Sequence, residues 1–240
     1  MAYLNRVFRL TLFCSLALLA VPGFAELKPY RATYELTFNE KVMGHSQFEL
    51  DIVDGSYELE AMVLPIKEMT TDGTHEILEL SKGHFKQDKV IPNKYHYALF
   101  KQDNIATIDI DFDWPKQLMT IDTPQDKKQI QLSEDAQDRI SYLLQVGLAA
   151  MKGYQDVKIS ISSMDATAET YVRKLGDAIL QLPAGRIYAT AYQRITAEDE
   201  ANRTIWFSPR YGHVPVQIDQ SWEGGRNSMR LQSLEFITKQ

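Results

Sequence analysis

Apolar and polar residues alternate along most of this chain. The alternation is clearest over residues 30–38, 48–52, 57–63, 108–112 and 214–218, where every second residue is apolar. A period of two places the apolar side chains on one face of a β-strand and the polar side chains on the other. Turn-forming residues separate these stretches at hairpin spacing. The pattern therefore predicts a mainly β protein of about 12 antiparallel strands, each with one face on an apolar core.

One segment follows the helical period instead. Apolar residues recur there at intervals of three and four residues as far as Met151. Ser133 is a suitable N-cap for this segment, and Glu134 and Asp135 follow it in the first turn, where the helix dipole favours acids. The pattern predicts one long α-helix over about 134–151, lying against the sheet or across the mouth of a barrel.

The number of strands constrains the architecture. A sheet of about 12 strands does not stay flat, because strand twist makes it curl or close. We therefore expect a curved antiparallel sheet or a barrel. A barrel of more than about eight strands leaves interior space that a ligand can occupy. No linker composition and no internal repeat interrupts residues 26–240, so the sequence predicts a single β-rich domain over that range.

The first 25 residues have the pattern of a cleavable signal peptide. Arg6 and Arg9 form a positive segment, Leu10–Leu19 is apolar, and small residues stand at Gly23 and Ala25. The apolar stretch is too short for a membrane span. We expect cleavage after Ala25, a periplasmic location and no transmembrane span in the mature chain.

Charge and cysteine content exclude several classes of function. Cleavage after Ala25 removes two arginines, so the formal net charge changes from −6 to −8. This acidic balance argues against nucleic acid and anionic lipid as partners. The single cysteine, Cys14, lies inside the apolar signal segment, and the bulky Phe13 before it argues against a lipid anchor. The mature chain therefore has no disulfide and no thiolate.

Motifs of common chemistries are missing from the sequence. There is no glycine-rich phosphate loop, no nucleophile elbow and no H-E-x-x-H zinc motif. None of the five histidines stands two to four residues from another. The aspartates at 109, 111 and 113 alternate with apolar residues, which indicates a solvated strand face rather than a calcium loop. The sequence therefore predicts no catalytic residue, no metal site and no cofactor, and it leaves enzymatic activity open while leaning against it.

Five residues are weak candidates for ligand binding. Asp138, Ser141 and Tyr142 lie on the predicted helix, where Asp138 and Ser141 share a face; they could form a polar cluster at a cavity entrance. The alternative interpretation is a solvated helix surface with an ion pair to the sheet. Ser208-Pro209 and Gly212 form a hairpin turn, and the nearby Trp206 and Tyr211 could line a pocket or could fix that hairpin to the core.

Several segments resemble one family. Trp206–Pro209, Gly212 and Val214–Val216 are similar to a signature of the bacterial domain-of-unknown-function family 3108. Tyr30–Leu36, the helix residues from Asp138 to Leu143, and Leu182–Gly185 resemble further parts of that family in the same order. The family's helix often carries an arginine where this chain has Gln145. The resemblance implies an exported β-rich protein of a Gram-negative envelope, and it implies no activity.

These observations leave several functions open. The favoured one is a non-catalytic periplasmic binding or carrier module for an apolar or lipid-like small molecule. The alternative is a structural or assembly partner that acts through contacts with an envelope protein. A hydrolase of envelope polymers is a third and less favoured hypothesis. An outer-membrane barrel also fits the alternation with a signal peptide, but the central helix argues against it.

Overall fold

The structure is a computed structural model, and it describes residues 27–66, 75–101, 104–162, 167–195 and 202–238. The predicted signal peptide, its cleavage site and Cys14 lie outside the described residues.

Fifteen strands, one α-helix and one 3-10 helix make up the described part of the chain. The strands are β1 Tyr30–Phe38, β2 Lys41–Val53, β3 Ser56–Pro65, β4 Glu76–Lys86, β5 Lys89–Lys101, β6 Asn104–Asp113, β7 Leu118–Asp122, β8 Lys127–Gln131, β9 Ala136–Gln137, β10 Asp156–Ser162, β11 Thr167–Leu182, β12 Gly185–Ile195, β13 Asn202–Ser208, β14 Val214–Trp222 and β15 Gly225–Phe236. The α-helix α1 is Ser141–Met151, and the 3-10 helix is Pro209–Tyr211.

All fifteen strands belong to one sheet. Strands β1 to β8 form one meander and β10 to β15 form another, and the two meanders join where β1 pairs with β15. Every pairing is antiparallel except the short parallel contact of β9 with β10. The sheet curves without closing, with β8 at one edge and β9 at the other. The predicted mainly β, curved antiparallel architecture is confirmed, with more strands than the sequence pattern indicates.

Gly83 lies inside a strand, although a glycine between two apolar stretches is typical of a turn. It belongs to β4 and stands at a register shift against β5. A Cβ at this position would lie 2.2 Å from the Ile91 carbonyl oxygen and 2.8 Å from Pro92 Cα. The glycine is therefore needed for close approach of two strands rather than for reversal of the chain.

Asp54-Gly55 is a turn, as its sequence indicates. Both residues have positive φ, at 48° and 76°, and they join the paired residues Val53 and Ser56. A two-residue hairpin loop with positive φ at both positions matches the right-handed twist of the strands that it connects.

The core lies on the inner face of the sheet, where apolar side chains of successive strands meet. Its largest fully buried side chains include Tyr34, Leu50, Leu59, Tyr95, Met119, Ile121, Ile159, Tyr192, Ile205, Phe207 and Leu231. Aromatic pairs contribute edge-on contacts; the ring centroids of Tyr192 and Phe207 are 5.9 Å apart.

The predicted helix exists, but it begins seven residues later than the pattern indicates. Ala136 and Gln137 pair with β10 instead of forming helical turns. The predicted N-cap, Ser133, therefore lies outside α1, because strand pairing overrides the local capping signal.

Helix α1 is buried on nearly all sides, since nine of its 11 residues are buried. It packs between β5 of the first meander and β10 and β14 of the second. A Cβ on Gly147 would lie 3.1 Å from the His213 carbonyl oxygen, so the helix fits closely against the turn before β14. The helix thus fills the concave side of the sheet.

Candidate functional site

Asp138 closes the turn that leads into helix α1, two residues before the N-cap Ile140. Its Oδ1 accepts hydrogen bonds from the backbone N–H groups of Ile140 (3.0 Å) and Ser141 (2.7 Å). In return, Ser141 Oγ accepts the backbone N–H of Asp138 at 2.9 Å. This reciprocal pairing has the pattern of a capping box, with serine in the place of the more usual glutamate or glutamine. Asp138 and Ser141 are therefore brought together by the start of the helix.

The turn around Asp138 is connected to the sheet through hydroxyl groups. Ser81 on β4 donates its hydroxyl hydrogen to Asp138 Oδ2 at 2.5 Å, and Tyr57 Oη lies 3.1 Å from Ser81 Oγ. Because the one hydrogen of Ser81 is used, Tyr57 is the donor in the second contact. Asp138, Ser81 and Ser141 are fully buried and Tyr57 is nearly so. We call these four residues the Asp138 network.

Burial governs the ionisation of this network. Burial raises the pKa of Asp138 from 3.8 to about 6, although the hydrogen bonds from Ser81 and from the backbone at Ser141 and Ile140 act to lower it. Burial also raises the pKa of Tyr57 well above 10, and the neighbouring Asp138 carboxylate raises it further. The network thus contains a carboxylic acid that loses its proton only at an unusually high pH.

A second polar group lies beside the Asp138 network, at a more exposed position. Tyr95 donates to Glu79 Oε2 at 2.5 Å, and Arg139 Nε is 3.7 Å from the same oxygen. The Arg139 guanidinium also lies 5.0 Å from the centre of the Tyr97 ring. Burial raises the pKa of Tyr95 far above its ordinary value, with Glu79 as the next cause. These contacts fix the chain before α1 to β4 and β5.

Tyr142 lies elsewhere on the helix. Its Oη accepts a hydrogen bond from Arg203 Nη1 at 2.9 Å, and Arg203 Nη2 donates to Gln220 Oε1 at 3.2 Å. These bonds join α1 to β13 and β14. All three helix candidates are buried, so the polar contacts that the structure gives them connect one part of the fold to another.

Gln145 makes a further connection of this type. Its Oε1 accepts the backbone N–H of Val90 at 2.8 Å, and its Nε2 donates to the Asp88 carbonyl oxygen at 3.1 Å. The side-chain amide thereby pairs with the backbone of β5 as a neighbouring strand does. An arginine at this position can donate but cannot accept the Val90 N–H, which gives this departure from the family pattern a structural meaning.

The two remaining candidates are separate from the helix cluster. Tyr211 lies in the 3-10 helix, partly buried against the core, with the Arg210 guanidinium 5.7 Å from its ring centre. Trp206 is also partly buried, and its Nε1 donates to Asp219 Oδ2 at 3.3 Å. Trp206 therefore leads to a polar cluster that the sequence analysis did not identify.

Asp219 is the centre of that cluster. Its Oδ2 accepts a hydrogen bond from Gln217 Nε2 at 2.7 Å in addition to the one from Trp206. Its Oδ1 accepts the Ser228 hydroxyl at 2.6 Å and lies 2.9 Å from Arg226 Nη2. Four side chains from three adjacent strands thus converge on one carboxylate.

The cluster borders a groove of about 660 Å³. The groove is lined by polar and charged residues of β1, the β1–β2 turn, β14 and β15, namely Thr37, Asn39, Glu40, Gln217, Arg226, Ser228 and Arg230. We call it the Asp219 groove. Arg230 Nη1 lies 3.6 Å from Glu35 Oε1, and Arg230 Nη2 donates to the Gln181 carbonyl oxygen at 2.9 Å.

Strand register explains how the groove forms. Ser228 pairs with Thr37 on one side and with Asp219 on the other, and Arg230 pairs with Glu35 and Gln217 in the same way. Paired residues share a face of the sheet. The intervening apolar residues, Leu36, Ile218 and Met229, point to the opposite face.

In the sequence, the groove corresponds to an alternation of arginine and serine at positions 226, 228 and 230. Such a pattern is common on solvated strands, and only the pairing of β15 with β1 and β14 distinguishes it.

Three further cavities have volumes of about 370, 300 and 250 Å³ and are smaller than the Asp219 groove. Among the residues that the structure describes, no three His, Cys, Asp or Glu side chains are grouped to hold a metal ion. Within the same ranges, no helix combines the length and apolar character needed to cross a membrane.

The fold and the groove define a class: an open, curved β-sheet protein with an internal helix and a polar groove on its outer face. The chain belongs to the family described as "Protein of unknown function (DUF3108)", whose match covers residues 30–232. The resemblance seen in the sequence is thereby confirmed. No curated protein shows significant similarity to the chain.

Solved structures support the fold. A β-barrel-like protein of the family DUF1849 from Brucella abortus has 10% sequence identity and a TM-score of 0.62, with 89% of this chain and 100% of that chain covered. A "putative lipoprotein" from Parabacteroides distasonis has 9% identity and a TM-score of 0.34, covering 88% and 97% of the two chains. A "putative exported protein" from Bacteroides fragilis has 10% identity and a TM-score of 0.33, covering 88% and 98%. The first similarity concerns the fold alone, and the other two superpose too poorly to support an argument.

Proposed function

We propose that the protein is a non-catalytic binding module of the bacterial periplasm, and that its ligand binds in the Asp219 groove. The observation that carries this proposal is the convergence of four donors on Asp219 at the edge of this groove. A buried carboxylate that orients its neighbours gives a binding surface whose polar groups are already positioned, which lowers the entropic cost of binding. The periplasmic location depends on the predicted signal peptide.

The groove favours binding over catalysis. A nucleophile needs an adjacent base that is itself oriented by a third group. The hydroxyl of Ser228 donates to Asp219, which is the only candidate base beside it among the described contacts. Asp219 also accepts hydrogen bonds from Trp206 and Gln217 and is paired with the cationic Arg226. Donors therefore occupy both carboxylate oxygens, which favours a role in holding the surrounding side chains in place.

For a binding module of this kind, the sequence alone favours an apolar or lipid-like ligand. Such a ligand needs an apolar cavity, typically inside a curved sheet. In this fold the concave side is occupied by α1, and the Asp219 groove has a polar lining. These two observations favour a polar ligand.

One observation favours the alternative of an assembly partner. The β11–β12 hairpin exposes large apolar side chains: Ile179 and Tyr188 form a cross-strand pair with 58% and 52% exposure, and Leu175 lies nearby in sequence with 56%. Exposed apolar groups of this kind mark contact surfaces. Crosslinking from position 179 in intact cells tests this alternative, since recovery of the monomer alone contradicts it.

The binding proposal is tested with protein isolated from its own cells. Native mass spectrometry of the wild-type protein is expected to show an additional bound mass. The variant Arg226→Gln should reduce its occupancy about tenfold, because Arg226 lines the groove and contacts Asp219. Arg173→Gln is the matched control: Arg173 is similarly exposed, at 59% against 56%, and is paired with Asp156 at 2.7 Å away from the groove lining.

The control should keep the bound mass at the wild-type level. Absence of any bound mass on the wild-type protein contradicts the proposal, as does equal occupancy in all three proteins. Circular dichroism spectra of the two variants establish that both are folded.

A further inference from the structure

The charges that face the Asp219 groove nearly cancel. Arg226 lies 2.9 Å from Asp219, and Arg230 lies 3.6 Å from Glu35. Glu40 adds a further carboxylate to the lining. Two guanidinium groups therefore face three carboxylates, so the groove has no positive charge in excess to attract a phosphate or a carboxylate ligand. A cationic ligand meets Asp219 and Glu35 already paired with the two arginines. The balance favours a ligand without net charge.

The hydrogen bonds already made determine which atoms remain for a ligand. Gln217 uses its Nε2 to donate to Asp219, which leaves its carbonyl oxygen as an acceptor. Asn39 uses its Oδ1 to accept the backbone N–H of Arg226 at 2.9 Å, which leaves its amide nitrogen as a donor. The groove therefore offers donors and acceptors side by side, and most of them belong to planar groups.

The backbone keeps these groups in position. Asn39 and Glu40 form the β1–β2 turn with φ values of 45° and 66°, and the Asn39 N–H donates to the Arg226 carbonyl oxygen at 2.9 Å. The turn of one hairpin is thereby attached to the strand of another. A ligand meets a groove whose two sides are held together by two hydrogen bonds between Asn39 and Arg226 of β15 and by the side chains around Asp219.

A hydroxyl group both donates and accepts hydrogen bonds. A ligand that carries several hydroxyls can therefore satisfy neighbouring donors and acceptors together, whereas a phosphate or a carboxylate offers acceptors only. The groove volume of about 660 Å³ lies within the range of small-molecule sites, about 300–1,000 Å³. We propose that the Asp219 groove binds a neutral saccharide through the hydroxyl groups of its sugar rings. This inference rests on the proposed binding function and names its ligand class.

The test uses an array of neutral glycans, built from hexoses and N-acetylhexosamines, probed with the fluorescently labelled wild-type protein. Inorganic phosphate, citrate and laurate are titrated in parallel by NMR. We expect binding to at least one neutral glycan and none to the three other probes at the same concentration.

The variant Gln217→Met removes the side-chain acceptor while keeping the size of the side chain. It should weaken glycan binding about five- to tenfold, as expected for the loss of a hydrogen bond to the ligand and of an oriented neighbour. Gln129→Met is the matched control, since Gln129 on β8 also uses its Nε2 in one side-chain hydrogen bond, to Thr120 at 3.3 Å, outside the groove. The control should bind as the wild type does.

Three results overturn the saccharide inference: no glycan binds, Gln129→Met loses as much binding as Gln217→Met, or phosphate, citrate or laurate binds in the groove instead. In the last case the proposed binding function stands and only the ligand class is wrong. The two proposals are separated further by native mass spectrometry, because a bound mass lost in Arg226→Gln but free of sugar on hydrolysis supports binding and contradicts a saccharide.

Discussion

Asp138 and Asp219 are both buried aspartates, yet they lie in different surroundings. Asp138 is fully buried and is held by one hydroxyl and two backbone N–H groups. Asp219 is 9% exposed, borders a groove and has Arg226 among its donors. The first carboxylate connects a helix to the sheet behind it, whereas the second orients side chains towards solvent.

The difference teaches how to separate structural polar groups from functional ones. Both aspartates satisfy the rule that buried polar atoms need partners. The groups around Asp138 direct their hydrogen bonds to one another, since Tyr57 bonds to Ser81 and Ser81 bonds to the carboxylate. Around Asp219, the side chains of Gln217 and Arg226 keep polar atoms that can still reach a ligand. Accessibility of the remaining atoms, and not the presence of a buried carboxylate, distinguishes the two regions.

The largest expected effect follows from removing the Asp138 carboxylate. Asp138→Ala leaves the Ser81 hydroxyl and two N–H groups at the start of α1 without their acceptor in a buried region. We expect the free energy of unfolding to fall by about 3–5 kcal/mol, measured by urea denaturation at pH 7. Asp135→Ala is the control, because Asp135 is partly exposed and paired with Lys89 at 3.3 Å; its effect should stay below about 1 kcal/mol. Equal effects of the two substitutions contradict the structural role given to Asp138.

Features of the fold that depend on nearby residues can be predicted from the sequence, whereas features that depend on strand pairing cannot. Strands such as β1 and β3 follow from the alternation of side chains, because one face of each is buried. The start of α1 did not follow, since Ser133 has the local properties of an N-cap and only pairing of residues 136–137 with β10 displaces the helix. Trp206 is a ligand candidate from its sequence, but its contact with Asp219 depends on the register of β13 against β14, which shifts between Trp206 and Phe207.

The Asp219 groove shows the same limit more strongly. Thr37 and Ser228 are 191 positions apart in sequence, and they become neighbours only because β1 pairs with β15. The serine, the arginines and the aspartate are each ordinary residues for a solvated strand face. Nothing local marks them as members of one site, because the site is a product of register across three strands.

A second test of the comparison uses pH. The folded-state pKa of Asp138, about 6, lies above its ordinary value of 3.8, so folding favours the protonated form. Its contribution to stability is therefore fully present below pH 3.8 and is lost as the pH rises through about 6. The shift corresponds to about 3 kcal/mol. Since Asp138→Asn cannot titrate, its free energy of unfolding should rise relative to the wild type by most of that amount between pH 4 and pH 7, measured in urea at both values.

The control for this pH experiment is Ser46→Ala. It removes a buried hydroxyl that donates to the Met62 carbonyl oxygen at 2.8 Å, and it removes no titratable group. The difference in unfolding free energy between Ser46→Ala and the wild type should stay constant between pH 4 and pH 7. If the Asp138→Asn difference does not change between pH 4 and pH 7, the assigned ionisation of the Asp138 network is wrong.

The smallest expected effect on stability belongs to Asp219→Ala. This substitution removes the acceptor of Trp206, Gln217 and Ser228, but the groove lets water replace it for the groups that line the cavity. We expect the free energy of unfolding, measured by urea denaturation, to fall by about 1–2 kcal/mol. Ligand occupancy should fall by a larger factor than this loss of stability suggests, because Gln217 and Arg226 lose their orientation. Asp122→Ala, which removes an exposed aspartate paired with Lys127 at 2.6 Å, should change neither quantity appreciably. A loss of stability as large as that of Asp138→Ala, with ligand occupancy retained, reverses the comparison, since Asp219 then supports the fold and does not organise a binding site.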